Sequence, residues 1–274
     1  MDRALELTDS EFTRIHTYLK RKYGVDMSRK REIIAGRLEN YLAQRGYTSY
    51  TEYMDAVERD ASGTLERELV DKITTNHTYF MREFTHFDYY RDTVLPEMRA
   101  MAERSKDLHI WCGASSSGEE PYTIAMVTMD YFGYDKKNWD TKILATDVST
   151  AILKQAMQGI YTAEQMENVP DSWKKRFFKA SPDKSRYMAS DELKQEVLFR
   201  QFNLMDPFPF KKQMHVIFLR NVMIYFDDKT KRELTRKLYD QLLPGGYLFI
   251  GQTETIDRDQ VPFHLVKPSV YKKC

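Results

Sequence analysis

The sequence predicts an α/β protein with a doubly wound parallel sheet, preceded by an all-helical domain and interrupted by a small inserted subdomain. Three observations support this prediction. Up to about residue 75 the chain contains only helical patterns, and from about Leu108 short apolar strands alternate with amphipathic helices. Between about residues 159 and 196, a charged stretch that contains prolines breaks this alternation. We therefore place the helical domain at 1–85, the sheet domain at 86–274 and the insertion at about 159–196.

Four helices are predicted in the first domain. Thr8–Glu11 and Ser49–Glu52 are capping boxes, in which a hydroxyl and a glutamate three residues later pair with free backbone N–H groups. They open the first and third helices, and Gly46 ends the second. The apolar positions expected to form the core are Phe12, Ile15, Leu19, Ile33, Ile34, Leu38, Tyr41, Leu42, Tyr53, Met54, Val57, Leu65, Leu69 and Ile73.

The second domain alternates between the two element types. Strands are predicted at Leu108–Cys112, Lys142–Thr146, Val197–Phe202, His215–Leu219 and Tyr247–Gly251, and a closing hairpin at Phe263–Val266 and Val270–Lys272. Helices are predicted at Tyr122–Phe132, Thr150–Gln158 and Lys229–Leu243. Ser149 caps the second of these helices, and the Pro244-Gly245-Gly246 turn ends the third.

Composition excludes several classes of protein. The 274 residues carry 42 Lys and Arg against 41 Asp and Glu, so a generally basic nucleic-acid coat is excluded. A hydrophobic content of 42% excludes a disordered chain, and apolar runs fall far short of the ~20 residues of a membrane span. The two cysteines, Cys112 and Cys274, argue against a disulfide scaffold or a cysteine metal site. We expect a cytoplasmic protein without a signal peptide, a metal or a nucleic-acid partner.

The loop Cys112–Pro121 lies between a predicted strand and a predicted helix, where open α/β sheets bind ligands. It lacks both the glycine fingerprint of NAD enzymes and the Gly-Lys-Ser/Thr end of a phosphate loop. Glu119 and Glu120 would repel a pyrophosphate and suit a cationic ligand instead. The alternative is an ordinary strand-to-helix turn, with acids favoured by the helix dipole.

Asp147 ends the second predicted strand, where an acid can accept hydrogen bonds from both ribose hydroxyls. A surface or capping aspartate is the alternative interpretation. Together with the acidic loop, it suggests a nucleoside ligand with a positive or neutral tail. S-adenosylmethionine has those parts: a ribose, an adenine, a sulfonium and an amino-acid tail.

Four segments of the chain together resemble a known family. The segments Thr74–Glu83, Gly118–Tyr122, Ala145–Asp147 and Arg220–Phe226 look like the motif set of the chemotaxis receptor methyltransferases, the CheR family. The resemblance runs from about Leu7 to Tyr271. It implies a Rossmann-like class I methyltransferase sheet and transfer of a methyl group from S-adenosylmethionine to glutamate side chains of chemoreceptors. The products would be glutamate methyl esters and S-adenosylhomocysteine.

The resemblance also implies a set of site residues. Arg82 and Tyr225 would lie beside the transferred methyl group as the catalytic pair. One glutamate of the Glu119–Glu120 pair would hold the cofactor, and we favour Glu120. The cofactor-binding set as a whole is Asn76, Thr78, Arg82, Gly113, Glu119, Glu120, Asp147, Asn203, Leu204, Arg220 and Asn221. From pattern alone, Arg82 reads as a surface salt bridge, Tyr225 as a core aromatic and Asn203 as a turn cap.

The implied partner is the cytoplasmic helical bundle of a chemoreceptor. Residues 14–45 contain nine basic residues against three acids, a net charge of +6, which could steer an acidic partner or could be a solvated helix face. The insertion at 159–196 corresponds in some family members to a module that binds a receptor tail peptide. Three rival readings are a non-enzymatic adaptor, a methyltransferase for RNA or a small molecule, and an NAD enzyme.

Overall fold

The computed structural model describes residues 5–257 and 259–274. The chain divides into two compact units. The first contains the residues up to Thr75 together with Tyr225–Thr230, and the second contains Asn76–Ile224 and Lys231–Cys274.

Four helices form the first unit: α1 (Asp9–Tyr23), α2 (Arg31–Gln44), α3 (Tyr50–Arg59) and α4 (Thr64–Ile73). The capping box that opens α1 is confirmed. Thr8 Oγ1 accepts a hydrogen bond from Glu11 N at 3.3 Å, and Thr8 N donates to Glu11 Oε2 at 3.0 Å.

The second capping box is only half present. Ser49 Oγ accepts from Glu52 N at 3.1 Å, as predicted. The Glu52 carboxylate, however, accepts from Thr48 N at 2.8 Å rather than from Ser49 N. The glutamate therefore reaches one residue further back along the chain.

The core of the helical unit follows the predicted apolar positions with three exceptions. Phe12 and Leu65 are only partly buried, and Ile33 is 40% exposed. Adjacent positions on a helix point about 100° apart, and Ile33 lies on the side of α2 away from the core. Its neighbour Ile34 takes the buried position.

The described residues of the second unit contain ten strands: β1 (Ile110–Gly113), β2 (Ile143–Asp147), β3 (Ile160–Thr162), β4 (Phe178–Ala180), β5 (Arg186–Ala189), β6 (Val197–Gln201), β7 (Met214–Leu219), β8 (Leu242–Phe249), β9 (Phe263–Lys267) and β10 (Val270–Lys273). Seven of them form the main sheet in the order β6-β2-β1-β7-β8-β10-β9. The first five pair in parallel, and β10 and β9 add as an antiparallel hairpin. The strand order reverses beside β1, which places a crevice at its carboxyl end.

The second unit contains the helices α5 (Thr85–Tyr89), α6 (Leu95–Met101), α7 (Glu119–Phe132), α8 (Thr150–Gln158), α9 (Asp171–Phe177) and α10 (Asp191–Gln195). It also contains most of α11 (Asp228–Gln241). A π-helical turn at Tyr90–Val94 joins α5 to α6. Ser149 Oγ accepts from Ile152 N at 3.2 Å, so the predicted cap of α8 is confirmed. No helix within residues 5–257 and 259–274 is long and apolar enough to cross a membrane.

The predicted end of α11 was wrong. The helix stops at Gln241, and β8 begins at Leu242, before the Pro244-Gly245-Gly246 turn. Leu242 already pairs with Met214 of β7, and the register shifts before the next pair, Val216 with Tyr247. That irregularity accommodates the proline, which cannot donate to a strand ladder.

The segment between α8 and β6 folds as a separate three-stranded antiparallel sheet in the order β3-β5-β4. Tyr161 of β3 and Phe178 of β4 are buried, and their rings lie 6.4 Å apart. The inserted sheet therefore shares the core of the second unit, which also contains Phe80 and Tyr122.

Candidate functional site

The loop between β1 and α7 has an unusual backbone. Ala114 and Ser116 have φ of 54° and 50°, and Gly118 has φ of 98°. Positive φ costs an L-residue other than glycine roughly 1 kcal/mol or more, so such a conformation persists only where surrounding contacts impose it. Ser115 N supplies one such contact by donating to Thr146 O of β2 at 2.9 Å.

Asp147 supplies a second contact that holds this loop. It is buried at the end of β2, where its Oδ2 accepts from Ser116 N at 2.9 Å and its Oδ1 accepts from Ser149 N at 3.0 Å. The carboxylate thus ties the loop to the start of α8. An ionised carboxylate is an acceptor with about four lone-pair positions, which is the chemistry that ribose hydroxyls require.

The two glutamates at the start of α7 have different surroundings. Glu119 is 1% exposed, and its carboxylate accepts from Ser117 Oγ at 2.6 Å and from Gln165 Nε2 at 3.1 Å. Burial raises the pKa of Glu119. Glu120 instead accepts from Arg220 Nη1 at 2.5 Å and from the Cys112 thiol at 3.4 Å. Burial raises the pKa of Cys112 well above its ordinary value, so this thiol is no nucleophile.

Arg220 is the centre of a buried ion-pair cluster. Besides Glu120, its guanidinium contacts Glu83 Oε2 at 3.0 Å and Arg82 O at 2.6 Å, both through Nη2. Burial alone would raise the pKa of Glu83. The charge of Arg220 and hydrogen bonds from Arg220, Asn221 and Gln252 outweigh it and hold this pKa below its ordinary value.

Glu254 holds the loop that follows β7. Its carboxylate accepts from Gly251 N at 2.6 Å, Asn221 N at 2.9 Å and Ile224 N at 3.3 Å. Asn221 has φ of 57°, and these bonds fix that conformation. Burial raises the pKa of Glu254 in spite of the backbone donors.

Neither Glu83 nor Glu254 was predicted as a site residue. Glu83 lies at the end of a segment from which Asn76, Thr78 and Arg82 were selected, and Glu254 follows the strand β8. For Glu254 the available signal was an acid shortly after an apolar strand, which is similar to the pattern that singled out Asp147.

The segment before α5 places the predicted residues Asn76, Thr78 and Arg82. Asn76 O accepts from Ser116 Oγ at 3.2 Å, which joins this segment to the loop. Arg82 Nη1 donates to His77 O at 2.8 Å. The Arg82 guanidinium also lies 5.7 Å from the centre of the Tyr79 ring.

Three predicted residues lie in other settings. Asn203 Oδ1 accepts from Met205 N at 3.0 Å, so Asn203 does cap a turn. Leu204 is buried, and its carbonyl accepts from Lys237 Nζ at 2.5 Å. Tyr225 falls in the helical unit, where its carbonyl accepts from Asp26 N at 2.8 Å.

Within the second unit, nine of the eleven predicted cofactor positions lie on four segments. These are residues 76–83, the loop after β1 with the start of α7, the end of β2, and the residues that follow β7. Three of these segments meet at Ser116, which contacts both Asn76 and Asp147. The fourth joins them at Arg220, through Glu120 and Glu83. The nine positions are Asn76, Thr78, Arg82, Gly113, Glu119, Glu120, Asp147, Arg220 and Asn221.

The chemistry of this set fits S-adenosylmethionine. Carboxylates outnumber arginines, which suits ribose hydroxyls and a cationic sulfonium rather than a phosphate. Ser115 Oγ is buried in the loop with no hydrogen-bond partner among the described residues, so it can serve a ligand. The described residues contain no group of His, Cys, Asp and Glu side chains that could hold a metal ion.

Comparisons with known proteins cover nearly the whole chain. A family model described as "CheR methyltransferase, SAM binding domain" matches residues 76–272, and one described as "CheR methyltransferase, all-alpha domain" matches residues 10–74. A chemotaxis protein methyltransferase of Borreliella burgdorferi is 38% identical over 98% of this chain and 96% of its own length. A chemotaxis protein methyltransferase of Escherichia coli K12 is 32% identical over 99% of this chain and 93% of its own length.

Proposed function

The chain belongs to the CheR family of S-adenosylmethionine-dependent methyltransferases, and from that premise we propose that it methylates glutamate side chains of chemoreceptors. Its cofactor is S-adenosylmethionine. The products are a glutamate methyl ester and S-adenosylhomocysteine, and the enzyme acts in the cytoplasm, in adaptation during bacterial chemotaxis.

The observation that carries the proposal is the convergence of the motif segments. Ser116 contacts Asn76 and Asp147, and Arg220 contacts Glu83 and Glu120, so residues far apart in sequence share one site. A signalling adaptor would need no such shared site. The convergence of these segments therefore favours an enzyme over an adaptor.

We assign Glu120 rather than Glu119 to the cofactor. The oxygens of both carboxylates have partners within the chain, but the Glu119 side chain is almost fully buried, which keeps it from a ligand. Glu120 is less buried and lies in the Arg220 cluster, beside the residues that follow β7. Asp147 would hold the ribose, and Arg220 and Asn221 would border the methionine moiety.

The proposed reaction needs no general base. A glutamate side chain has a pKa near ~4.3, so it is already an anion at pH 7. When bound, the cofactor supplies an electrophilic methyl group. The protein must then hold the carboxylate in line with that group and exclude water.

Arg82 is suited to orient the substrate carboxylate. Its Nη1 donates to a backbone carbonyl, that of His77, so the described residues leave its charge without a carboxylate partner. Too strong a bond from Arg82 would weaken the nucleophile, so its contribution is orientation with partial neutralisation.

The receptor is proposed to dock on the basic stretch 14–45. This stretch has fewer unpaired cations than its net charge of +6 indicates. Arg14 pairs with Asp55 and Glu58, and further pairs to acids join Lys20, Lys22, Arg31 and Arg45. Within the described residues, Arg21, Arg29, Lys30 and Arg37 have no carboxylate partner. Arg37 donates to the backbone carbonyls of Ile73 and Thr74, so the docking charge we propose for an acidic helical bundle lies on Arg21, Arg29 and Lys30.

The inserted sheet is proposed to bind the receptor's tail peptide. Its outer strands, β3 and β4, flank β5, and an extended peptide can add to such an outer strand through backbone hydrogen bonds. The insertion and the docking stretch would then recognise two parts of one receptor.

The test is to map the methylated residue. The protein is incubated with S-adenosylmethionine and chemoreceptor-containing membranes, and receptor peptides are analysed by mass spectrometry. We expect the added methyl group on glutamate side chains. A methyl group on a nitrogen of the receptor, or on nucleic acid or a small molecule in the mixture, would support a methyltransferase with another acceptor, and no transfer at all would support the adaptor.

A further inference from the structure

The inserted sheet contacts the loop between β1 and α7 at two points. Tyr161 of β3 donates from its hydroxyl to Ser117 O at 2.9 Å, and Gln165 Nε2 donates to Glu119 Oε1 at 3.1 Å. Tyr161 is 1% exposed. The loop is therefore attached to the insertion as well as to the main sheet.

The two attachments hold different parts of the loop. The main sheet holds its first half, through Ser115 N on Thr146 O and Ser116 N on Asp147. The insertion holds the end of the loop at Ser117 O and the first residue of α7 at the Glu119 side chain.

The fit of Tyr161 against the loop is tight. A methyl group at Gly118 would lie 2.8 Å from the Tyr161 hydroxyl oxygen, which excludes any larger residue there unless Tyr161 moves. The positive φ of Gly118 excludes larger residues for a second reason. The loop and the tyrosine therefore occupy one defined arrangement.

A third contact reaches the segment that carries Arg82. The Phe80 ring lies 4.8 Å from the Tyr161 ring and 5.7 Å from the Phe178 ring, with edge-to-face geometry in both pairs. Phe80 is fully buried. The insertion thus packs on two of the segments that form the candidate cofactor site.

We propose that Tyr161 and Gln165 are positioning residues for the cofactor, so that the inserted sheet sets cofactor affinity in addition to any role in partner recognition. The inference rests on the proposed role of the loop in holding the cofactor. Tyr161 acts through Ser117 O, and Gln165 acts through Glu119. A ligand that shifts β3 would change cofactor affinity through the same contacts. Thermodynamic linkage then requires the bound cofactor to change the affinity for that ligand by the same factor.

The test compares two buried tyrosines. Tyr161→Phe removes the bond to the loop, whereas Tyr122→Phe removes a similar bond from the Tyr122 hydroxyl to Ala156 O of α8, at 3.1 Å. Both variants of the full chain are titrated calorimetrically with S-adenosylhomocysteine, and their melting temperatures are measured. Loss of one such hydrogen bond corresponds to about a three- to tenfold change in an equilibrium constant.

We expect Tyr161→Phe to weaken S-adenosylhomocysteine binding about three- to tenfold and to raise KM for S-adenosylmethionine by a similar factor, with kcat at saturating cofactor nearly unchanged. Tyr122→Phe should bind like the parent chain. Equal affinities of Tyr161→Phe and the parent, or equal weakening in both variants, would overturn the proposal.

A second variant covers the case in which Tyr161→Phe does not fold. Gln165→Met keeps the side-chain length and removes the bond to Glu119, together with one to Thr162 N. We expect weaker S-adenosylhomocysteine binding together with a lower melting temperature, because the buried Glu119 carboxylate loses a donor. Unchanged binding would overturn the proposal. If the parent chain binds S-adenosylhomocysteine but methylates no receptor, the proposed substrate is wrong while the affinity comparison still decides this inference.

Discussion

Replacing Arg220 by methionine tests the buried ion-pair cluster. The guanidinium is 0% exposed, and the carboxylates of Glu83 and Glu120 lie 3.0 and 2.5 Å from it. Arg220→Met leaves both largely buried carboxylates, 12% and 14% exposed, without their cation. Breaking a buried ion pair in this way costs about 3–5 kcal/mol of unfolding free energy.

A loss of that size is easily measured. Each kcal/mol lowers the melting temperature by roughly 2–4 °C for a chain of this size, so thermal unfolding at pH 7 should show a fall of roughly 6–20 °C. The matched control is Arg91→Met. Arg91 pairs with Asp92 and Asp88 while its side chain is 44% exposed, and an exposed pair contributes about 1 kcal/mol or less. If Arg220→Met costs no more than Arg91→Met, the cluster does not stabilise this fold and our reasoning is wrong.

The same variant predicts a pH dependence. The pKa of Glu83 is lowered in the folded chain, so its stabilising effect is present above its ordinary pKa of 4.5 and is lost as the pH falls through the lowered value. The gap in melting temperature between the parent and Arg220→Met should therefore narrow as the pH is reduced below 4.5. A gap that stays constant or widens in that window would contradict the assignment of Glu83 as the partner of Arg220.

Three further predictions concern the remaining acids and Arg82. Glu254→Gln places an amide NH₂ among the N–H groups of Gly251 and Asn221, so we expect chemical denaturation to show a loss of about 1–3 kcal/mol of unfolding free energy. An unchanged stability would show that Glu254 does not hold the loop that follows β7. Asp147→Asn cannot accept on both sides and should weaken S-adenosylhomocysteine binding about tenfold or more in calorimetry, whereas parent-like affinity would exclude Asp147 from the site. Arg82→Ala should lower receptor methylation about tenfold or more at saturating cofactor, and near-normal turnover would remove Arg82 from catalysis.

Sequence patterns predicted the elements that local chemistry determines. The capping box at Thr8–Glu11 and the cap at Ser149 involve residues within three positions of each other, so both were visible in the sequence. The end of α11 was not predictable in the same way. It depends on pairing of Leu242 with Met214, which lies 28 positions earlier (242 − 214 = 28).

The cofactor set was likewise predicted only where a motif supplied it. Glu83 and Glu254 both accept hydrogen bonds from the loop after β7: Glu83 from the Asn221 side chain, 138 positions away, and Glu254 from Asn221 N, 33 positions away. No sequence period links such positions. Each became visible only when the parallel strands brought their carboxyl ends to the same edge of the sheet.

The free charge of the basic stretch 14–45 was also not predictable from the sequence alone. Its net charge of +6 counts only residues 14–45. In the structure, acids from outside the stretch, such as Glu58, Glu66 and Glu68, pair with several of its cations. Local net charge therefore overstated the charge that is free to meet a partner.

The most direct test of the central claim is transfer of a labelled methyl group. The protein is given labelled S-adenosylmethionine and chemoreceptor-containing membranes, and label released as methanol by mild base is counted beside an Asp147→Ala control. Our account predicts label that base releases and that the control lacks, because only a glutamate ester made through this site behaves in that way. Label that resists base, or label that persists in the control, would contradict it.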